Sequence, residues 1–248
     1  MKLERIVADL VEKTERRFYG KYRGFVVDNQ DPMTIGRLKV RIPSVLGDSV
    51  VSGWATPCAP FGGAANQGFL FIPGKDAGVW VEFEEGDLEF PIWAGTFWSL
   101  PNSESEMPKP NQGSDGSELS SVQDPPTAKI IKTAKGHTLQ MEDADGAEMI
   151  LIREGAKGHF VTMDKNGITI EDANHNTIQF NGNGITITDT NNNVVQMASS
   201  GITITDKVNN SIAMSSSAFT LTAKVPFSID ASGQTVTVTG SAINFQKG

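Results

Sequence analysis

The sequence predicts an all-β chain: a five-stranded barrel, then a shaft in which three identical chains wind into an intertwined β-helix, or β-prism, with a short helix in front. Three observations carry that expectation. Short apolar runs punctuated by Gly and Pro fill residues 18–98, a 17-residue repeat runs through 163–214, and a proline-rich stretch poor in large apolar side chains lies between them at 99–127. With 25 Gly and only two Tyr in 248 residues, the composition favours tight turns over a helix-rich enzyme. The formal charge of −8 argues against free nucleic acid as a ligand, because phosphate binding rests on clustered Lys and Arg.

Residues 1–17 place Leu3, Ile6, Val7, Leu10 and Val11 at helical spacing with charges of both signs between them. They predict a short amphipathic helix lying on its own domain, with a docking or trimerising helix as the alternative. The segment has neither the apolar core nor the small-residue cleavage site of a signal peptide, and no stretch of the chain reaches the ~18 apolar residues of a membrane helix.

From Phe18 to Trp98 the runs "YRGFVVDN", "GRLKVRIP", "GFLFIPG", "AGVWVEFEEGD" and "FPIWAGTFWS" read as about five strands closing a small barrel. In "RLKVRI", Leu38, Val40 and Ile42 face one way and Arg37, Lys39 and Arg41 the other. A five-stranded barrel invites an oligonucleotide-binding reading, but residues 18–98 hold six Lys and Arg against nine acids, six of them between Asp76 and Glu89. Nucleic acid is therefore not expected as a partner. Residues 99–127, with five prolines, predict a linker and the domain boundary.

Beyond it, Gly167, Gly184 and Gly201 lie 17 residues apart, as do Asp172, Asp189 and Asp206, and Asn176, Asn193 and Asn210. Apolar positions keep the same step, as in Ile168, Ile185, Ile202 and Ile170, Ile187, Ile204. Each unit holds two short strands of period two separated by an Asp-led turn, with Asn and Gly supplying left-handed backbone. About two apolar side chains per strand are too few for one wound chain to close its own interior. Three copies about one axis would bury them together and leave no open edge. Residues 128–248 would then form a rod of about 65–70 Å at ~4.8 Å per strand step. Between Ala173 and Gly248 only Asp189, Asp206, Lys207, Lys224, Asp230 and Lys247 are charged, so ladder hydrogen bonds and packing should hold it.

The segments "VVDNQDPMTIGRLKVRIPSV", "WATPCAPFGG", "GFLFIPGKDAGVWVEFEEGD" and "PIWAGTFW" resemble, in order and spacing, the OB-fold domain of the central spike of contractile phage tails, the baseplate assembly protein V group shared with the VgrG spikes of type VI secretion. "TAKGHTLQMEDADGAEMILI" resembles the start of that family's triple-stranded β-helix. The resemblance implies a homotrimer in a virion or phage-tail-like particle, assembled in the bacterial cytoplasm. Residues 1–17 would be an N-terminal helix, 18–98 an OB-fold collar docked to a hub protein, 99–127 a linker and 128–248 a spike perforating the target envelope. The 29-residue linker is too short for the lysozyme domain some relatives insert there. Only 17 residues precede the barrel, so a separate hub is expected. The ending "VTVTGSAINFQKG" lacks the iron-binding His-x-His of certain spikes, so a separate PAAR-type tip protein is expected to cap it. A trimeric receptor-binding fibre or adhesin is the alternative, and a polysaccharide-degrading β-helix enzyme a weaker one.

No catalytic, cofactor-binding or metal-binding residue is predicted. His137, His159 and His175 have no partners at ligand spacing and read as turn or surface residues. Asp172, Asp189 and Asp206 read as turn caps rather than a calcium column, since the dense Gly-Gly-x-Gly-x-Asp spacing is missing, and "EDADGAE" is too short for a calcium loop. Met163, Met197 and Met214 read as packing residues, and Cys58 as a buried thiol. No Gly-x-Ser-x-Gly elbow occurs.

Overall fold

In a computed structural model, which describes residues 2–15 and 17–246, the chain forms two units, the first ending at Met107 and the second beginning at Pro108. The first opens with helix α1 (Lys2–Glu15), whose apolar residues Leu3, Ile6, Val7 and Val11 are all exposed. This corrects the expectation that the helix lies on its own domain: the barrel that follows closes its core with its own strands.

That barrel is built from β1 (Tyr22–Asp28), β2 (Leu38–Arg41), β3 (Val51–Pro57), β4 (Gly78–Phe83) and β5 (Pro91–Thr96), closed in the order β1-β2-β3-β5-β4. Only the β3–β5 pair is parallel. One-turn helix α2 (Pro43–Leu46) follows β2, with Pro43 in its first turn, where a missing N–H costs nothing. Period-two alternation does the sorting: Leu38, Val40 and Ile42 are fully buried with Val26, Ala55, Val79 and Val81, while Arg37, Lys39 and Arg41 face outward. Trp93 closes the core and donates from Nε1 to the Gly36 carbonyl at 3.1 Å, so its polar edge is satisfied. Asp31 accepts from Arg37 Nε (3.0 Å) and Nη2 (2.6 Å), and this pairing holds its carboxyl far below the ordinary aspartate range.

The second unit is one antiparallel sheet of eleven strands, β6 (Ala128–Lys132) to β16 (Phe219–Thr222), each paired with the next in sequence. Its members between are β7 (Thr138–Glu142), β8 (Met149–Arg153), β9 (Phe160–Asp164), β10 (Gly167–Glu171), β11 (Thr177–Asn181), β12 (Gly184–Thr188), β13 (Val194–Ala198), β14 (Gly201–Thr205) and β15 (Ser211–Met214). Each 17-residue unit is therefore two strands and two reversals. One reversal is a two-residue turn closed by Gly167, Gly184 or Gly201 at positive φ; the other is led by Asp172, Asp189 or Asp206.

Two expectations are corrected here. The stretch 99–127 is not a free tether throughout, for Asn111 is 3 % exposed. Its N–H donates to Gln140 Oε1 at 2.7 Å, while Gln140 Nε2 donates to the Asn111 carbonyl at 3.0 Å. A reciprocal amide pair, rather than apolar area, ties this polar segment down. Strands also stop at Thr222, although the alternation continues in sequence. One repeat beyond Asp206 and Asn210 stand Ala223 and Phe227, so the side chains that build the Asp-led turn are missing. Eleven strands span about 48 Å at ~4.8 Å per step, shorter than the rod expected.

Candidate functional site

Strand register sorts the second unit into two unlike faces. Directly opposed residues share a face, and the pairs Ile152–Val161, Val161–Ile170, Ile170–Ile178 and Ile178–Ile187 form one unbroken apolar column. Beside it runs a second, through Met163, Ile168, Phe180, Ile185, Met197 and Ile202. Among the described residues nothing buries them: Ile170 and Ile187 are 40 % exposed and Ile204 43 %. The single chain does not curl into a closed solenoid. It presents an open sheet whose apolar face is far more extensive than a soluble monomer leaves in water. Met163 and Met214 lie in this face rather than in a core of their own chain.

From β9 onward the opposite face is mainly polar, as in the column Thr162–Thr169–Gln179–Thr186–Gln196–Thr203. At its start it is buried: Thr138, Gln140, Leu151, Phe160 and Thr162 are at most 5 % exposed, and Asn111 is tied to Gln140 there. One face is thus finished and the other waits for cover.

The aspartate turns are built alike. Asp189 accepts from the backbone N–H of Asn191 and of Asn193, both at 2.8 Å, and from Asn193 Nδ2 at 2.7 Å, while Asn192 takes the left-handed conformation at φ 63°. His175 and Asn209 are its equivalents in the flanking turns, with φ 61° and 66°. Each turn is also fastened to the next. Asn176 Oδ1 accepts from Thr190 N (3.0 Å), Asn193 Oδ1 from Lys207 N (3.0 Å) and Asn210 Oδ1 from Lys224 N (2.7 Å). His159, one repeat before Asn176, fills the same role, its Nδ1 accepting from Ala173 N at 3.1 Å. Reading the sequence missed this clasp, although the 17-residue step already sets His159 in line with the asparagines. His137 Nδ1 accepts from Gly155 N at 3.1 Å and lies 3.8 Å from Glu154.

The structure brings no three His, Cys, Asp or Glu together at metal-binding distance among the described residues. The turn aspartates spend their oxygens on amides. Cys58 is exposed, which corrects the expectation of a buried thiol: it follows the last residue of β3, where its N–H still donates to the Trp93 carbonyl at 2.9 Å but the chain is leaving the barrel.

Two expected outcomes arise here. Asn193→Ala removes one clasp and one aspartate partner, and about 0.5–1 kcal/mol per chain is expected to be lost. A lowered melting temperature beside an unchanged Thr190→Ala control checks it. Secondly, hydrogen bonds from Asn176 lower the Asp172 carboxyl from 3.8 to about 2, and those from Asn193 and Asn210 hold Asp189 and Asp206 below the ordinary aspartate value. A folded-state pKa below the unfolded one gives stability that is complete above the ordinary aspartate value and lost as pH falls toward about 2. Melting temperatures are expected to be flat down to about pH 5 and then to fall. The triple change of Asp172, Asp189 and Asp206 to Asn should make the fall shallower.

Residues 22–98 match the family described as the type VI secretion system/phage-baseplate injector OB domain. Residues 128–194, from the first strand of the sheet to the start of β13, match the phage baseplate V C-terminal trimerisation domain. A search of the curated proteins finds no match.

Proposed function

Because the chain is a baseplate V, spike-type protein, a homotrimeric structural component of a phage-tail baseplate with no enzymatic domain in either matched family, we propose that it is the piercing spike at the centre of that baseplate. The observation that carries this reading is the open apolar face of the sheet: ten successive strand pairings keep one column unbroken from Ile131 to Leu221, over residues that begin with the trimerisation match. Three such faces turned toward one axis make a dry triangular core, and the Thr- and Gln-rich faces then form the outside. Intertwining of the chains would make the rod resist unfolding, since no copy can leave alone.

The remaining parts take mechanical roles. The barrel is the collar that docks to a separate hub; its loop carrying Phe61, Phe69, Leu70 and Phe71, all 54–83 % exposed, supports a protein contact there. Beyond the last strand, Val236, Val238 and Phe245 are also exposed, and a separate tip protein of PAAR type is the cover proposed for that end. Contraction of the tail drives the rod through the target envelope, and no bond is made or broken by it. Beyond Ala173 the shaft carries few charges, so little on that length favours an ionic contact with the envelope.

Particles carrying a chain shortened after Asn181 test this. They are expected to assemble and adsorb normally but to fail to depolarise target cells. Depolarisation equal to the full-length particle would contradict piercing, and lost adsorption would favour the receptor-binding fibre.

A further inference from the structure

The barrel turns two unlike surfaces outward. On β1 to β4, side chains alternating with the core set cations against rings in strand register: Arg23 opposite Trp80, Arg41 opposite Phe25 and Lys39 opposite Trp54. Each cation lies over its ring, at 5.7, 5.3 and 5.0 Å from the ring centroid. Phe97 packs where a side chain on Gly78 would stand and lies 5.3 Å from the Arg23 guanidinium. Such pairing holds long side chains in place before a partner arrives. Trp and Arg are also the residues that dominate binding energy at protein interfaces. Neither Arg23 nor Lys39 has an ion-pair partner among the described residues.

At the far end of β4 the chain turns through Glu84, Glu85, Asp87 and Glu89. Asp87 is met by Arg17 at 3.2 Å. Glu84, Glu85 and Glu89 are exposed and in no ion pair among the described residues, although Arg17 also donates to the Glu85 carbonyl at 3.2 Å, and beside them Phe90 is 59 % exposed. One barrel therefore carries both a cationic aromatic face and an acidic corner with an apolar residue beside it.

We propose that in the trimer the cationic aromatic face of one barrel docks on the acidic corner of the next copy's barrel, so that the three collars close into a ring. The inference rests on the trimeric reading above. Two different patches that meet on neighbouring copies build a closed ring whenever the rotation returns to the start. Opposite charge selects the correct pairing, and Phe90 meeting the aromatic face supplies the apolar contact at its centre. The same face is ill suited to single-stranded nucleic acid, because its own cations already lie over the rings on which bases would stack.

The test treats the full-length protein with a zero-length carbodiimide, which joins a lysine amine to a carboxylate as an amide. The expected result is the peptide containing Lys39 joined to the peptide containing residues 84–89 in covalently linked dimer and trimer bands, with yield falling at high salt. Lys39→Gln, whose side chain still covers Trp54, should abolish that pair. Lys39→Glu with Arg23→Glu should abolish it too, and adding Glu84→Lys and Glu85→Lys should restore it with the roles exchanged. The pair found only in the monomer band, or Lys39 joined across copies to other residues, overturns the ring. So does binding of a fluorescent single-stranded oligodeoxynucleotide that Arg23→Gln removes. A trimeric mass without the cross-link defeats the ring alone, whereas a monomeric mass defeats the reading beneath it.

Discussion

Glutamate at position 187 is expected to leave the protein without an assembled shaft, while glutamate at position 186 leaves it trimeric. The two residues are neighbours on β12 and point to opposite faces. Ile187 stands between Ile178 and Val195 in the apolar column, and Thr186 between Gln179 and Gln196 in the polar one. In the single chain Ile187 is 40 % exposed, and a carboxylate there would stay in water. In the trimer it would enter the axis together with two others. Burying an unpaired charge costs several kcal/mol, and three like charges near one axis repel further. Thr186→Glu adds a charge to a solvated surface, where substitutions usually change stability by about 0.5 kcal/mol or less. Size-exclusion chromatography with light scattering separates the outcomes. If both variants behaved alike, the two faces would not differ as the register says.

Gly184→Val should be nearly as damaging, for a different reason. Gly184 closes the two-residue turn between β11 and β12 at φ 124°, a region that L side chains rarely adopt. A Cβ placed there would overlap the Met197 carbonyl oxygen on the next strand. Gly167 and Gly201 meet the same obstacle, against the carbonyls of Phe180 and Met214, which is why the repeat keeps glycine at all three positions. The strained backbone alone costs about 1–3 kcal/mol per chain, and relieving the overlap would shift the strand pairing as well. Three copies carry the defect at the same height of the shaft. Loss of resistance to detergent at room temperature, judged by migration of unheated samples, measures the effect; a Gly182→Val control should retain it, because a Cβ at Gly182 meets open space.

What could be read from the residues alone was whatever is periodic. Leu38, Val40 and Ile42 alternate with cations, and the core lies where that alternation puts it. The 17-residue step likewise set the strands, the turn aspartates and the glycines in their places. Register between strands is not written locally, so the pairing of Lys39 with Trp54 and of Arg23 with Trp80 emerged only when the barrel closed. Counting charges over residues 18–98 concealed it, because six of the nine acids lie between Asp76 and Glu89 while Arg23, Lys39 and Arg41 lie over the aromatic rings. The exchange between Asn111 and Gln140 was hidden because it joins residues 29 positions apart by polar groups, whereas composition reports apolar content. His159 was passed over because it differs in kind from the asparagines whose place it takes.

The central claim is that the sheet's apolar face is covered only by two further copies of the same chain. The mass of the purified full-length protein under native conditions tests it most directly. Three times the 26.7 kDa chain mass is expected, persisting on dilution. A folded, soluble species of 26.7 kDa would contradict it, since one chain would then be keeping those columns of isoleucine and methionine in water unaided.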